Sequence, residues 1–180
     1  LFLNNFCYFL EKKNYSNIIN EVLIDNNINW NRKHFNSLVI NYNKAPFFKD
    51  HADWLKETYA RDWKYLNKFI RYYNKYLLDQ LSIKTKFIYS SEMNIKGVKS
   101  DYILNLCKEL KAKTYLSGPF GRDYLDAKKF SKDNIDIIYH DYSHPKYEQL
   151  GDTFIPYLSS LDLLFNHGNA SLNILNKKLF

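Results

Sequence analysis

The sequence predicts an α/β fold in a single domain, with a parallel or mixed sheet flanked by helices. After residue 84, short apolar runs alternate with helical stretches, which is the order of elements in α/β proteins. Between residues 35 and 77, apolar side chains recur at helical spacing. The 180 residues, 46% hydrophobic and 18% aromatic, can build a sizeable core, and no linker rich in Gly, Pro or Ser divides them. We therefore expect one domain over residues 1–180.

The first half of the chain predicts one strand followed by three helices. Residues 18–25 are rich in Ile, Val and Leu, which favours a buried or edge strand. The first helix should end at Ala45-Pro46, because proline lacks a backbone N–H. Two further helices follow, the second of them longer. The apolar residues that mark the three helices are Phe35, Leu38, Val39 and Tyr42; Phe48, Leu55 and Tyr59; and Trp63, Leu66, Ile70, Tyr73 and Leu77.

The second half predicts strands separated by helices. We expect strands over 85–89, 114–116 and 135–139, with helices over 98–110 and 126–132 between them. This order implies parallel pairing with right-handed crossovers. Ligands bind such sheets beyond the carboxyl ends of the strands. Three segments lie at these ends: Ser90-Ser91-Glu92, Ser117 to Asp123, and Asp141 to Pro145.

The composition bears on partners and location. The net charge of +7 comes mostly from lysine, and the chain is equally rich in Asn, Ile, Tyr and Phe. A- and T-rich codons encode all these residues, so genome composition accounts for the charge and argues against nucleic acid as the partner. Cys7 and Cys107 lack the paired spacing of a zinc or redox motif, which favours a reducing, cytoplasmic location. No window approaches the roughly 20 apolar residues of a membrane-spanning helix, so we expect no membrane insertion.

The loop from Ser117 to Asp123 is the strongest candidate for a ligand site. Two glycines around a proline let the backbone turn sharply and approach a ligand, and a nearby arginine favours an anionic group. The spacing matches neither a Walker loop nor a Gly-x-Gly-x-x-Gly motif. We assign substrate binding to Ser117, Gly118, Gly121 and Arg122, and an acid or base role to Asp123. The alternative is an ordinary turn in which Asp123 caps a helix or pairs with Arg122.

Other polar residues near the predicted strand ends complete the candidate site. Ser91 is a candidate for substrate binding, and Glu92 is a candidate acid or base; the alternative for both is a strand-end turn. His144 is a candidate general base near neutral pH, with a structural hydrogen-bonded role as the alternative. His140 precedes it by four residues, but the segment is not expected to be helical, so we expect no metal site. Ser100 and Asp101 are expected to cap a helix.

A row of basic residues, the basic stripe, suggests a second class of function. The residues Arg61, Lys64, Lys68, Arg71 and Lys75 recur at spacings of three and four, opposite the apolar stripe of the same predicted helix. Such a face is typical of nucleic-acid binding, and equally of the solvated side of an amphipathic helix.

Several segments together resemble the WbqC-like protein family of bacteria. The most specific are Leu-Ser-Gly within residues 114–125 and Asp-Leu-Leu-Phe-Asn at 162–166. Asn43 and Phe120 stand where the family commonly has glycine. The family also opens with a strand and a His-Gln-Pro-Asn-Tyr-like motif that this chain lacks, so we expect an N-terminally truncated member, the C-terminal portion of the family's domain. The other matching segments are 29–34, 41–48, 90–92, 99–101, 144–147 and 154–159.

The resemblance implies a role in bacterial surface polysaccharide (O-antigen) biosynthesis. It suggests transfer of an acyl or glycyl group to a sugar or nucleotide-sugar precursor. No cofactor, oligomeric state or catalytic residue follows from it. Two alternatives stay open: a non-catalytic nucleotide or nucleic-acid binding module that uses the basic stripe, and an inactive truncated remnant.

Overall fold

The computed structural model describes residues 18–176, which fold into helices and one small sheet. The elements are α1 (Trp30–Tyr42), α2 (Phe48–Ala60), α3 (Leu66–Gln80), α4 (Lys99–Glu109), β1 (Thr114–Ser117), α5 (Ala127–Lys132), β2 (Asp136–Tyr139), α6 (Ser160–His167) and α7 (Ser171–Asn176). The predicted α/β class is confirmed.

The described chain divides into two compact units, which we treat separately. The larger unit comprises residues 18–85 and 144–176, and the smaller unit comprises Lys86–Ser143. The assignment of residues 1–180 to one domain stays a prediction. Among residues 18–176, no helix combines the length and apolarity needed to cross a bilayer.

The larger unit is a helical assembly with an aromatic core. Its three N-terminal helices lie where the apolar spacing predicts them, except that α3 begins at Leu66, after Trp63. Helix α1 ends at Tyr42, just before Ala45-Pro46. Helices α2 and α3 both pack against α6. Phe165 of α6 has no exposed surface, and its ring lies 5.2 Å from the rings of both Tyr42 and Phe48. Edge-on and tilted ring pairs of this kind define the core of the unit.

The predicted strand over residues 18–25 is wrong. Residues Ile19–Glu21 form a short 3₁₀ turn, and Leu23 makes only an isolated antiparallel bridge to Tyr65. The backbone N–H of Ile24 donates to Lys64 O at 3.0 Å, which pairs this segment with the chain just before α3. Of the apolar side chains in this segment, Ile24 is buried at 3% exposure, whereas Ile18 and Ile19 are 56% and 69% exposed.

The smaller unit is built around a β-α-β arrangement. Strands β1 and β2 pair in parallel, with Leu116 opposite Ile138 and Ser117 opposite Tyr139. The parallel pairing predicted for 114–116 and 135–139 is therefore confirmed. Helices α4 and α5 contribute a second core, made of Leu104, Cys107, Phe130 and Ile135.

The predicted strand over residues 85–89 is wrong. The segment forms no strand, and its Phe87 and Ile88 side chains are 54% and 47% exposed. An apolar β-prone run becomes a strand only where a neighbouring strand offers its backbone groups. No such neighbour lies alongside it within the described residues.

Candidate functional site

The loop after β1 begins at the carboxyl edge of the sheet. Ser117 is the last residue of β1, and the N–H of His140 donates to its carbonyl at 2.7 Å, which extends the parallel pairing past β2. A 3₁₀ turn over Pro119–Asp123 follows. The N–H of Gly121 donates to Gly118 O at 3.0 Å, and that of Leu125 donates to Gly121 O at 2.9 Å. These backbone bonds give the loop a defined shape at the predicted place.

The two glycines of this loop have different roles. Gly121 is buried, and a Cβ added there would overlap the Ser117 hydroxyl and lie 3.0 Å from Leu125 Cδ1. Gly118 is exposed, and a Cβ added there would meet no atom within 4 Å. Only Gly121 is therefore required for close packing. Ser117 is itself only 2% exposed, so its side chain supports the loop from beneath.

Substitution of the two glycines tests this difference. We expect Gly121→Ala to lower the free energy of unfolding by about 1–3 kcal/mol, because the added methyl overpacks a closed turn. We expect Gly118→Ala to stay within about 0.5 kcal/mol of the wild type, as at an unconstrained surface position. Urea denaturation followed by circular dichroism measures both. Equal stability of the two variants would contradict the packing described for Gly121.

Arg122 is the exposed cation of this loop. Its guanidinium carbon lies 4.4 Å from the ring centroid of Tyr139, the last residue of β2. Among residues 18–176, no carboxylate forms an ion pair with it, and Asp123 is likewise exposed. The helix that follows the loop is capped by Asp126, whose carboxylate accepts from the N–H of Lys129 at 3.3 Å. Neither the helix-cap nor the ion-pair alternative for Asp123 is therefore realised.

The Ser-Ser-Glu segment lies in the same unit as the loop. Residues Ser90–Glu92 form a 3₁₀ turn in which the N–H of Glu92 donates to Tyr89 O at 2.9 Å. The side chains of both Ser91 and Glu92 are exposed. The structure places them on the surface, and their contact with substrate stays a prediction.

Ser100 does not have the capping role expected from the sequence. Helix α4 has Val98 at its N-cap and no side-chain cap hydrogen bond. The Ser100 hydroxyl instead accepts from the N–H of Asp126 at 2.9 Å, and Asp101 pairs with Lys129 at 2.7 Å. Both residues therefore tie α4 to the start of α5.

His144 belongs to the larger unit, among aromatic rings. Its ring centroid lies 5.7 Å from that of Tyr147, 5.9 Å from Phe154 and 5.1 Å from Tyr157. His140 belongs to the smaller unit, where its ring stacks on Tyr142 at 5.7 Å. In the described part of the chain, no three His, Cys, Asp or Glu side chains converge as metal ligands.

A buried carboxylate in α6 is a feature that the sequence reasoning missed. Asp162 is 3% exposed, and its Oδ2 accepts hydrogen bonds from the Tyr147 hydroxyl and from Gln149 Nε2, each at 2.9 Å. Burial, together with the charge and hydrogen bonding of Asp162, raises the pKa of Tyr42. A polar signal was present, because Asp162 and Asn166 interrupt an otherwise apolar helix.

This network organises the loop that carries His144. Gln149 binds both backbone groups of Ile155, with its Nε2 2.9 Å from the carbonyl and its Oε1 2.8 Å from the N–H. The loop and the two C-terminal helices border an open surface groove of about 760 Å³. The His144-Pro145-x-Tyr147 and Asp162–Asn166 segments, distant in sequence, are thus joined. The lining residues are Pro145, Lys146, Tyr147, His167, Ala170, Asn173 and Ile174.

The basic stripe does not occupy a single helix. Arg61 and Lys64 precede α3, so the predicted common face over Arg61 to Lys75 is wrong for these two residues. The Arg61 guanidinium lies 4.5 Å from the Tyr72 ring centroid, and Lys75 forms an ion pair with Asp79 at 2.7 Å. Part of this charge is therefore engaged by neighbouring side chains.

Comparison with known proteins identifies the family. The chain is 35% identical over 155 residues to a Mycobacterium tuberculosis protein described as uncharacterized protein Rv1507c. The match covers 83% of this chain, and the chain spans 65% of the length of that relative. No solved structure matches. The WbqC-like family model matches residues 9–174, which include both the Ser117 to Asp123 loop and the Asp162 network, and the chain therefore belongs to the WbqC-like protein family.

Proposed function

We propose that the protein is a group-transfer enzyme that modifies a sugar or nucleotide-sugar precursor of a bacterial surface polysaccharide. The observation that carries this proposal is the exposed Arg122 at the carboxyl edge of two parallel strands, without a described carboxylate partner. This edge is where parallel sheets bind ligands. An arginine there suits a phosphate or carboxylate of a sugar precursor.

Each predicted residue has a defined part in this proposal. Arg122 binds the anionic group, while Gly118 and Gly121 shape the backbone around it. Ser117 packs against Gly121 and supports the loop, because its side chain is buried. Ser91 contributes a hydroxyl to the substrate.

The reaction itself needs a base and an acyl donor. In acyl or glycyl transfer, a sugar amine attacks the carbonyl of an activated donor, the new C–N bond forms, and the leaving group departs with the electron pair of the old bond. The nitrogen must lose a proton as the bond forms. Asp123 and Glu92, which belong to the same unit as Arg122, are the candidates to accept it. The general-base role of His144 stays a prediction.

A binding experiment tests the anion site without knowledge of the natural substrate. Uridine 5′-diphosphate serves as the probe, and isothermal titration measures its Kd. We expect Arg122→Ala to weaken binding about 10-fold or more, since a hydrogen bond to a charged group contributes roughly 1.5–3 kcal/mol. The matched control is Arg61→Ala, which removes an arginine that lies over a tyrosine in the larger unit. It should leave the Kd unchanged.

Three outcomes would contradict the proposal. The wild type could fail to bind the probe, or Arg122→Ala could bind it with the same Kd as the wild type. Alternatively, Arg61→Ala could lose binding while Arg122→Ala retains it. The last outcome would favour the basic stripe, and an affinity for oligonucleotides that falls steeply with salt would then support the nucleic-acid alternative.

A further inference from the structure

Tyr139 stands directly beneath the one charged group on which the proposed anion site depends. It ends β2 and is held in register opposite Ser117 of β1. Its ring is half-buried, and the Arg122 guanidinium carbon lies 4.4 Å from the ring centroid. That distance is well within the roughly 6 Å of a cation–π contact. The strand therefore fixes the ring, and the ring restrains the arginine.

The contact leaves the hydrogen-bonding capacity of Arg122 available. Attraction to a ring face uses the charge of the guanidinium and none of its five N–H donors. Within residues 18–176, no protein group accepts a hydrogen bond from Arg122, and the side chain is exposed. A restrained guanidinium with open donors can bind two oxygens of one anion at once. A lysine ammonium at the same place would act only as a point charge.

We infer that Tyr139 is a positioning residue for Arg122, and that the pair selects an oxyanion bound through two oxygens, the chemistry that phosphate and carboxylate groups share. This inference rests on the proposed function, because it assigns the orientation of the same site. The aromatic ring, rather than the hydroxyl, carries the effect, because the Tyr139 hydroxyl makes no hydrogen bond within the described part of the chain.

Titration of uridine 5′-diphosphate into four variants tests the inference. We expect Tyr139→Phe to bind within about twofold of the wild type, because the ring is retained. We expect Tyr139→Leu to bind about two- to fivefold more weakly, which is the loss of an exposed cation–π contact. Arg122→Lys should bind more weakly than the wild type and more tightly than Arg122→Ala, since a lysine keeps the charge and cannot bind two oxygens in a fixed geometry.

Two further measurements separate positioning from a merely structural role. The side-chain N–H resonance of Arg122 should show increased mobility in ligand-free Tyr139→Leu, and not in Tyr139→Phe. The urea midpoint of each variant shows whether the fold is retained. The Kd values are then compared at a temperature at which all variants are folded.

The outcomes distinguish this inference from the proposed function. If Arg122→Ala loses binding while Tyr139→Leu binds like the wild type, the positioning role is wrong and the anion site stands. If Arg122→Lys binds like the wild type, recognition through two oxygens is wrong. If Arg122→Ala itself binds normally, the proposed anion site fails.

Discussion

Replacement of Phe165 by alanine is expected to lower the free energy of unfolding by about 3–5 kcal/mol. Phe165 has no exposed surface, and its ring contacts the rings of Tyr42, Phe48 and His51 at 5.2, 5.2 and 5.6 Å. Truncation removes the ring from contact with α1 and α2 and leaves a cavity that the surrounding helices can fill only in part. The loss is large against a typical total stability of roughly 5–15 kcal/mol.

Tryptophan fluorescence during urea denaturation measures this effect. All three tryptophans of the chain, Trp30, Trp54 and Trp63, lie in the larger unit with Phe165. Phe120→Ala is the matched control, because that phenylalanine is 78% exposed and its loss should change stability by less than about 0.5 kcal/mol. A loss below about 1 kcal/mol in Phe165→Ala would show that the aromatic core is not packed as described.

Replacement of Asp162 by alanine is expected to lower the free energy of unfolding by about 2–4 kcal/mol. The change removes the acceptor of the Tyr147 hydroxyl and of Gln149 Nε2, each 2.9 Å from the carboxylate. A buried donor left without its acceptor costs about 1–3 kcal/mol. The chain over residues 144–158 should also become more mobile, because Gln149 links Asp162 to Ile155.

A double-mutant cycle with Tyr147→Phe isolates the hydrogen bond. The coupling energy between the two substitutions should be about 0.5–3 kcal/mol, as for residues in direct contact. Asp152→Ala is the matched control, since that aspartate is exposed. Equal stability of Asp162→Ala and Asp152→Ala, or a coupling near zero, would overturn the account of the network. Hydrogen exchange of the amides over 144–158 reports the expected mobility.

Helices α1 to α5 could be predicted from the sequence because their apolar periodicity is a local property, whereas α6 and α7 were not predicted. The spacing of Leu38 and Tyr42, or of Leu66, Tyr73 and Leu77, depends only on residues one or two turns apart. The structure places all of these in helices. The strands were predicted less well. Residues 18–25 and 85–89 have the composition of strands, but no neighbouring strand pairs with them in a sheet within the described residues. Strand formation depends on a partner that the local sequence does not contain.

In the candidate site, too, local features could be predicted from the sequence and contacts between distant residues could not. Glycine and proline within the seven residues from Ser117 to Asp123 indicate a turn, and the structure has a 3₁₀ turn there. The anion-binding role of this loop stays a prediction. The network of Asp162 with Tyr147 could not be predicted, because its members lie 15 residues apart and belong to a helix and a loop. The two polar residues in the apolar α6 were the available signal.

The sequence by itself determined the α/β class, the positions of α1 to α5, and the loop after β1, whereas α6 and α7 were not predicted. Only the tertiary structure decided which glycine of that loop is indispensable, which ring lies under Arg122, and which donors surround Asp162. The physical reason is the range of the interactions. Backbone propensity and periodicity act over a few residues, whereas burial, ring contacts and hydrogen bonds between distant side chains exist only once the elements have packed.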